Sequence, residues 1–348
     1  MDFELSADQE ALRDAAHDLL SHRSAREKVR AVVNAGGGWD RGLWAEMVAQ
    51  GWPGIAVPEA AGGVGLGWVE AAVLAEEVGE HLAPAPVLGQ MVALDALLDA
   101  EGPLVEEATV GLLDGGLVAA VTADPASPVP YAASADVVIA VRGDGEGGDA
   151  EVVLVDQRGS RPSAEQAMDR TRELGWLDPA AVARAEVVGD AAAARRVIDT
   201  GSVAYAAELL GIAQAALDMT VAYAKERHQF GKPIGSFQAV KHRCADMLVD
   251  VEGMRSSLYW AAWCVSVHDD DASVAASTAK SWCSDAADRV MSSALQVHGG
   301  IGFTWESDLH LYLKRAHLDR IEMGSATWHR RRLATELRRR VRAGQRLI

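Results

Sequence analysis

Two polar side chains, each followed by glycines, offer chemistry that can be read directly from this chain. Arg227 opens the stretch Arg-His-Gln-Phe-Gly-Lys-Pro-Ile-Gly-Ser-Phe-Gln238 behind a long helical pattern, and Gln296 opens Gln-Val-His-Gly-Gly-Ile-Gly-Phe303 between two more. A planar, permanently charged guanidinium suits a diphosphate, and glycines expose backbone N–H groups to a ligand. Gly299, Gly300 and Gly302 also permit positive φ and the close approach of another backbone. Taken singly, each feature has an ordinary structural explanation. A glycine just past a helix is the commonest way to end one, and arginines are frequent at helix C-termini. A third group, the carboxylate Glu208, lies inside an apolar helical stripe. It is either a buried acid with a raised pKa or a polar contact between helices, and both remain open.

These side chains need elements to hold them. Ser6 with Gln9 reads as a capping box, followed by Leu12, Ala15, Ala16 and Leu19 at helical spacing, so an amphipathic helix opens the chain. Further helices are expected over 43–50, stopped by Gly51, and over 68–78. Between them Trp52-Pro-Gly-Ile-Ala-Val-Pro-Glu-Ala-Ala-Gly-Gly-Val-Gly-Leu66 is dense in Gly and Pro and therefore a loop. No strand precedes it and no Lys-Ser/Thr closes it, so it is no phosphate cradle. The middle changes period. Runs at 117–122, 136–141, 151–156 and 183–188 are short and β-rich, and Gly143-Asp-Gly-Glu-Gly-Gly148 reads as a hairpin connection.

Helical pattern returns over 203–226, where Ala206, Leu210, Ala213, Leu217 and Val221 share one stripe, and continues over 247–267, 272–295 and 307–317. Trp260, Trp263 and Trp282 are expected as large apolar anchors of a packed bundle. The expected organisation is a helical domain over 1–115, a reduced β domain over 116–191 and a four-helix bundle over 192–348. The fold class is thus mainly α with a small β domain, without a parallel sheet or a Rossmann unit.

Composition sets the outer limits. With 348 residues, 49% apolar and 24% charged, the chain is ordinary globular material, long enough for two or three domains. A net charge of −17 argues against non-specific binding to nucleic acid or to an anionic membrane surface. The Arg-rich stretch 330–346 is expected as a solvated helix face. Cys244, Cys264 and Cys283 show neither metal spacing nor a pairing pattern, which suits a reducing compartment. The N-terminus lacks a basic n-region with an apolar h-region, and no later run is long and apolar enough to cross a bilayer. The expectation is a soluble, cytoplasmic protein.

Together, the Arg227, Phe230, Gly231 turn and the Gln296, Gly299, Gly300, Gly302, Phe303 turn resemble the C-terminal half of the acyl-CoA dehydrogenase flavoproteins. The resemblance extends to the N-terminal third, in the order helix, Pro-Glu-x-x-Gly-Gly-x-Gly loop, helix. It fades in the middle, where Thr122-Ala-Asp-Pro125 is a thin echo of the family's flavin-facing Thr-Glu-Pro loop and its Trp-x-Thr segment is not found. The resemblance implies FAD as cofactor, an acyl-CoA thioester as substrate and an electron-transfer flavoprotein or similar acceptor. It also implies that the bundle reaches across a subunit contact. Arg227 would pair with the diphosphate, while Gln296 with the Gly299-Gly300 backbone would hold the adenosine side of a flavin bound mainly by the neighbour. Phe230, Val297, His298, Ser325 and Thr327 complete the implied cofactor set.

The resemblance then meets a departure. Most of the family removes the substrate α-proton with the Glu of a Tyr-Glu-Gly-Thr segment, and an ungapped alignment from Gly299 puts Met323 there. A thioether has no useful basicity. The other position used in the family, near the start of the bundle helix, falls on Thr200, Gly201 and Ser202, again without a carboxylate. Glu208 and Glu322 are the remaining candidates. Glu322 is expected to be a surface or interface ion-pair partner pointing away from the base position, because neighbouring side chains diverge. Three functions follow: a base-lacking subunit completing the flavin site of a second acyl-CoA dehydrogenase-type chain in a heterotetramer, as in actinobacterial steroid side-chain breakdown; an autonomous flavoenzyme with a non-standard base; or a structural or regulatory protein on this fold. The first is adopted.

Overall fold

The computed structural model describes residues 4–143 and 149–345. The helical start is built as its residues dictate. The Ser6 hydroxyl accepts from the Gln9 N–H and the Gln9 side chain accepts in return from the Ser6 N–H, which caps α1 (Ala7–Arg23). α2 (Arg26–Asn34), α3 (Arg41–Ala49), α4 (Trp68–Glu80), α5 (Val87–Leu97) and α6 (Pro103–Leu113) follow. The Gly/Pro loop between α3 and α4 folds on itself as two short 3-10 turns, burying Trp52, Ile55 and Val57. α4 is buried along nearly its whole length.

The strands are β1 (Ala119–Thr122), β2 (Val129–Pro130), β3 (Val137–Arg142), β4 (Glu151–Asp156), β5 (Leu174–Gly175) and, after α7 (Pro179–Arg184), β6 (Glu186–Gly189). The main sheet has the order β1-β3-β4-β6; β1 pairs with β3 in parallel and the other neighbours are antiparallel. It is a mixed sheet, and the single parallel pair is joined through β2 rather than through a crossover helix. β3 and β4 pair from Val137–Asp156 to Arg142–Glu151 as a hairpin would, while the turn expected at 143–148 falls largely outside the described residues. One β-rich run is shifted: residues 183 and 184 close α7, because Asp178 caps a helix with Pro at its first position.

The remainder is helical: α8 (Ala191–Glu226), a small ribbon of β7 (His228–Gln229) and β8 (Lys232–Pro233), α9 (Gln238–Ser266), α10 (Ala272–His298), α11 (Leu309–Asp319) and α12 (Ala326–Arg342). α8 begins well before the expected residue 203, because the Asp190 carboxylate accepts from the Ala192 and Ala193 N–H groups and starts the helix on an alanine run. Ser273 donates to Asp199 near the starts of α10 and α8, and His298 stacks on Tyr223 near their ends, so these two helices run parallel with α9 antiparallel between them in sequence. α11 returns along α8. α4 and α8 cross at glycines: a Cβ on Gly211 would stand 1.9 Å from the Glu76 carbonyl oxygen, so only glycine admits this approach.

The tryptophan expectation needs correction. Trp263 and Trp282 are 37% and 42% exposed, so they are not core anchors; the Trp282 ring instead carries the Arg289 guanidinium, 5.1 Å from its centroid. The bundle core is filled by smaller side chains, chiefly alanines with Met247, Met254 and Met291. Among the described residues no helix is long and apolar enough to cross a membrane.

Candidate functional site

The predicted site residues fall into two groups at different levels of α8. At its C-terminal end the Tyr223 and His298 rings stack with centroids 4.5 Å apart, which fixes the Arg227 turn beside the Gln296 turn. Arg227 caps the helix through its N–H to the Tyr223 carbonyl, and among the described residues its exposed guanidinium has no hydrogen-bond or ion-pair partner. Gln296 is exposed and Val297 half-buried. His298 is buried: one ring nitrogen lies 2.8 Å from the Ala294 carbonyl and burial lowers its pKa, so it is a packing group rather than a cation. Phe230, at φ 54° and 92% exposed, stands out from the turn. Gly231, Gly299 and Gly300 have open space where a Cβ would lie. A free guanidinium beside open glycine backbone fits the phosphates of a dinucleotide.

The second group surrounds a cavity of about 500 Å³ between the loop after β1 and the α11–α12 connection. Thr122, Asp124 and Ser127 line one side; Glu322, Met323, Ser325 and Trp328 line the other. The weak sequence echo at Thr122-Ala-Asp-Pro125 therefore does face this cavity. Met323 is 2% exposed, at φ 54°, and packs against Gly201 of α8. The Ser325 hydroxyl caps α12, and Thr327, exposed one residue inside that helix, is not part of the lining. Gly201 and Arg227 lie ~39 Å apart along α8, so within this chain Ser325 and Thr327 stand at a different level of the bundle from Arg227 and Gln296.

The two candidate carboxylates separate clearly. Glu208 is fully buried and belongs to a cluster that the sequence did not reveal. Arg172 Nη2 donates to both of its oxygens at 2.7 Å, and Arg315 Nη1 donates at 2.6 Å. Arg172 also holds Asp319 at 2.7 Å, and Arg315 holds Asp169 at 2.8 Å. Burial pushes the Glu208 carboxyl up, but the two guanidinium groups more than offset it and leave it below its usual range. Glu208 is thus the polar contact between elements, fully buried and held by two guanidinium groups. No signal announced the partners: Arg315 and Asp319 are spaced like a surface helix pair, and Arg172 stands in a loop.

Glu322 departs from expectation in the opposite direction. It is 8% exposed, pairs with no cation within salt-bridge distance among the described residues, and lines the same cavity as Met323. The tight turn after α11, which carries Met323 at positive φ, turns both side chains inward where an extended backbone would have separated them. Burial raises its carboxyl to about 7, against the pull of Arg172 and Lys280. Lys280 is buried too, its ammonium lowered by burial to about 8, and it donates to Ser284 and to the carbonyls of Arg320 and Gly324, which holds this turn in place.

A helical layer, a small mixed sheet and a bundle with open glycine turns at one end are the parts of a flavin-dependent dehydrogenase. Comparison agrees: residues 6–100 match the acyl-CoA dehydrogenase N-terminal domain and residues 191–337 the acyl-CoA dehydrogenase C-terminal domain. The chain is 37% identical to the acyl-CoA dehydrogenase IpdE2 of Mycolicibacterium smegmatis over 96% of its own length and 100% of that protein. It superposes on a chain of the ChsE4-ChsE5 complex from Mycobacterium tuberculosis with a TM-score of 0.84 and 28% identity, covering 97% of this chain and 99% of that one. A steroid acyl-CoA dehydrogenase variant, Tcur3481-Tcur3483, gives 0.82 and 29%, covering 94% and 97%. The chain belongs to the acyl-CoA dehydrogenase family of FAD-dependent oxidoreductases.

Proposed function

We propose that this chain is the base-lacking subunit of a heteromeric acyl-CoA dehydrogenase, lending Arg227, Gln296 and the Gly299-Gly300 backbone to an FAD held mainly by a second chain of the same family. The carrying observation is the pairing of a free Arg227 beside open glycines with a buried Met323 in the cavity ~39 Å away. The first is a ligand-binding end without a reacting centre, and in the second the residue at the family's base position, Met323, cannot take a proton. FAD, when bound, accepts the hydride equivalent from the substrate. This chain's residues neutralise its diphosphate charge through Arg227 and admit its backbone contacts at Gly299 and Gly300, and the proton is removed by the partner's base. The two structural relatives named as a complex and as a steroid enzyme favour a CoA ester of a steroid side chain as substrate. An electron-transfer flavoprotein in the cytoplasm is the matching acceptor.

The test is expression with and without a partner dehydrogenase chain. The chain alone should purify without stoichiometric FAD and without activity on any acyl-CoA; co-expression should restore both. A lone protein that purifies yellow, with one FAD per chain, ends this proposal.

A second reading has its own support: Glu322 lines the cavity as a carboxyl near pKa 7, the range in which a general base works best. Should the lone chain prove active and Glu322→Gln abolish turnover with flavin retained, the chain is an autonomous enzyme. A purely structural role is disfavoured, since a fold has no use for an unpartnered arginine beside open glycines.

A further inference from the structure

Where α1 crosses the end of α4, against the later turns of α8, the structure gathers groups that the dehydrogenase chemistry does not use. His17 projects from α1, and Glu77 and His81 lie four residues apart at the end of α4, on one face. The His17 Nδ1 is 3.1 Å from Glu77 Oε2, the His81 Nδ1 is 3.6 Å from the same oxygen, and one ligand atom from each of the three lies within 4.8 Å of the others. We propose that His17, Glu77 and His81 form a binding site for a divalent transition-metal cation of the zinc type, clamping α1 to α4.

Three observations carry it. The first is spacing: four-coordinate zinc with ligands at roughly 2.0–2.2 Å places neighbouring ligand atoms about 3.3–3.6 Å apart, close to the two separations from Glu77 Oε2, while the two histidines, within 4.8 Å, close up slightly on binding. The second is ligand type. Two imidazoles with one carboxylate suit zinc and its neighbours, whereas calcium and magnesium prefer all-oxygen sets. The third is charge. Glu77 is only 3% exposed, Glu80 and Asp218 line the adjoining space, and of the arginines lining the two cavities, Arg13, Arg26 and Arg255, Arg255 is engaged by Glu76 at 2.5 Å. A buried carboxylate among further acidic groups is a place where a bound cation relieves both burial and like-charge repulsion.

The surroundings leave room for the remaining ligand. His17 is half-exposed and lines two cavities, of about 580 and 720 Å³, so water can reach an open coordination position. Ser21 Oγ stands 3.3 Å from the His81 Nε2 and can orient that ring from behind. His81 Nδ1 also lies 3.1 Å from the Glu77 carbonyl, so binding through this nitrogen means that this contact is given up. His17 and Glu77 share a hydrogen bond, and the two histidine rings meet edge to face with centroids 4.8 Å apart, so the three side chains already face one another.

The experiment uses the full-length, untagged protein after chelator treatment, together with its partner chain if it needs one. Cobalt(II) is titrated in and the visible absorption of four-coordinate cobalt followed; zinc is then added to displace it. The expected result is one cobalt per chain, displaced by zinc, with zinc raising the melting temperature. His17→Gln and His81→Gln should each weaken binding at least about tenfold, the lower end of the effect that even a second-sphere change has on such sites. His17 is half-exposed, so its variant keeps the fold, and a circular dichroism spectrum verifies this. Absence of the cobalt bands in the folded wild type overturns the proposal. So does binding that is unchanged in both histidine variants, which would place the metal elsewhere.

Discussion

Met323 lies against Gly201: a Cβ placed on that glycine would stand 2.7 Å from the methionine Cγ and 2.8 Å from its sulfur. The thioether fills the space a side chain on α8 would need, so the cavity wall is made jointly by the two positions. Gly201→Ala should therefore overpack the wall by about 1–3 kcal/mol, less about 1 kcal/mol regained from replacing glycine within a helix. Met323→Ala should relieve the clash. A double-mutant cycle by urea denaturation should show the pair coupled by at least about 0.5 kcal/mol, whereas additive effects would mean the two do not touch.

Arg227→Ala should leave the stability of the isolated chain within about 0.5 kcal/mol, because the exposed guanidinium has no partner within the described residues. In the complex with a partner chain it should weaken FAD retention. A lost charge-assisted bond of ~1.5–3 kcal/mol corresponds to roughly ten- to hundredfold, read by flavin fluorescence on dilution. Retention equal to wild type would remove Arg227 from the site.

Glu208→Ala should destabilise the fold by about 3–5 kcal/mol, since it leaves the buried Arg172 and Arg315 short of a counter-charge. Chemical denaturation measures this directly. A variant as stable as wild type would mean that the carboxylate is free, and would return Glu208 to the list of possible bases.

Glu322 gives a pH signature. Its folded-state pKa, about 7, stands above the ordinary value of 4.5, so folding favours the proton. The stability this contributes is complete below pH 4.5 and is lost as pH rises through about 7, to a limit of about 3 kcal/mol. Wild type should therefore lose stability relative to Glu322→Gln between about pH 5 and pH 8 in paired thermal melts. A difference that does not change with pH would mean an ordinary, solvated carboxyl.

Much of the fold was legible because local rules decided it. The Ser6–Gln9 capping box, the Gly/Pro loop at 52–66 and the change from helical to β-rich spacing each depend on residues close in sequence. The Arg227 and Gln296 turns were legible as motifs, but what brings them together is the Tyr223–His298 stack, a contact between residues 75 positions apart that no periodicity encodes. The Arg172–Glu208–Arg315 cluster was hidden for the same reason: its bonds join a loop, α8 and α11 across the interior. Glu322 faces inward against the simple alternation of neighbouring side chains, because a local backbone departure, the positive φ at Met323, changes which way the two side chains point. The exposed Trp263 and Trp282 show the limit of reading a large apolar residue as buried by default.

The length of α8 has a consequence for descent. A single helix keeps the Met323 cavity and the Arg227 end too far apart to share a contact. In the heteromer proposed above, one copy left by a gene duplication would be free to change around residue 323 while residue 227 went on serving its neighbour, and the two copies would then have to be inherited together.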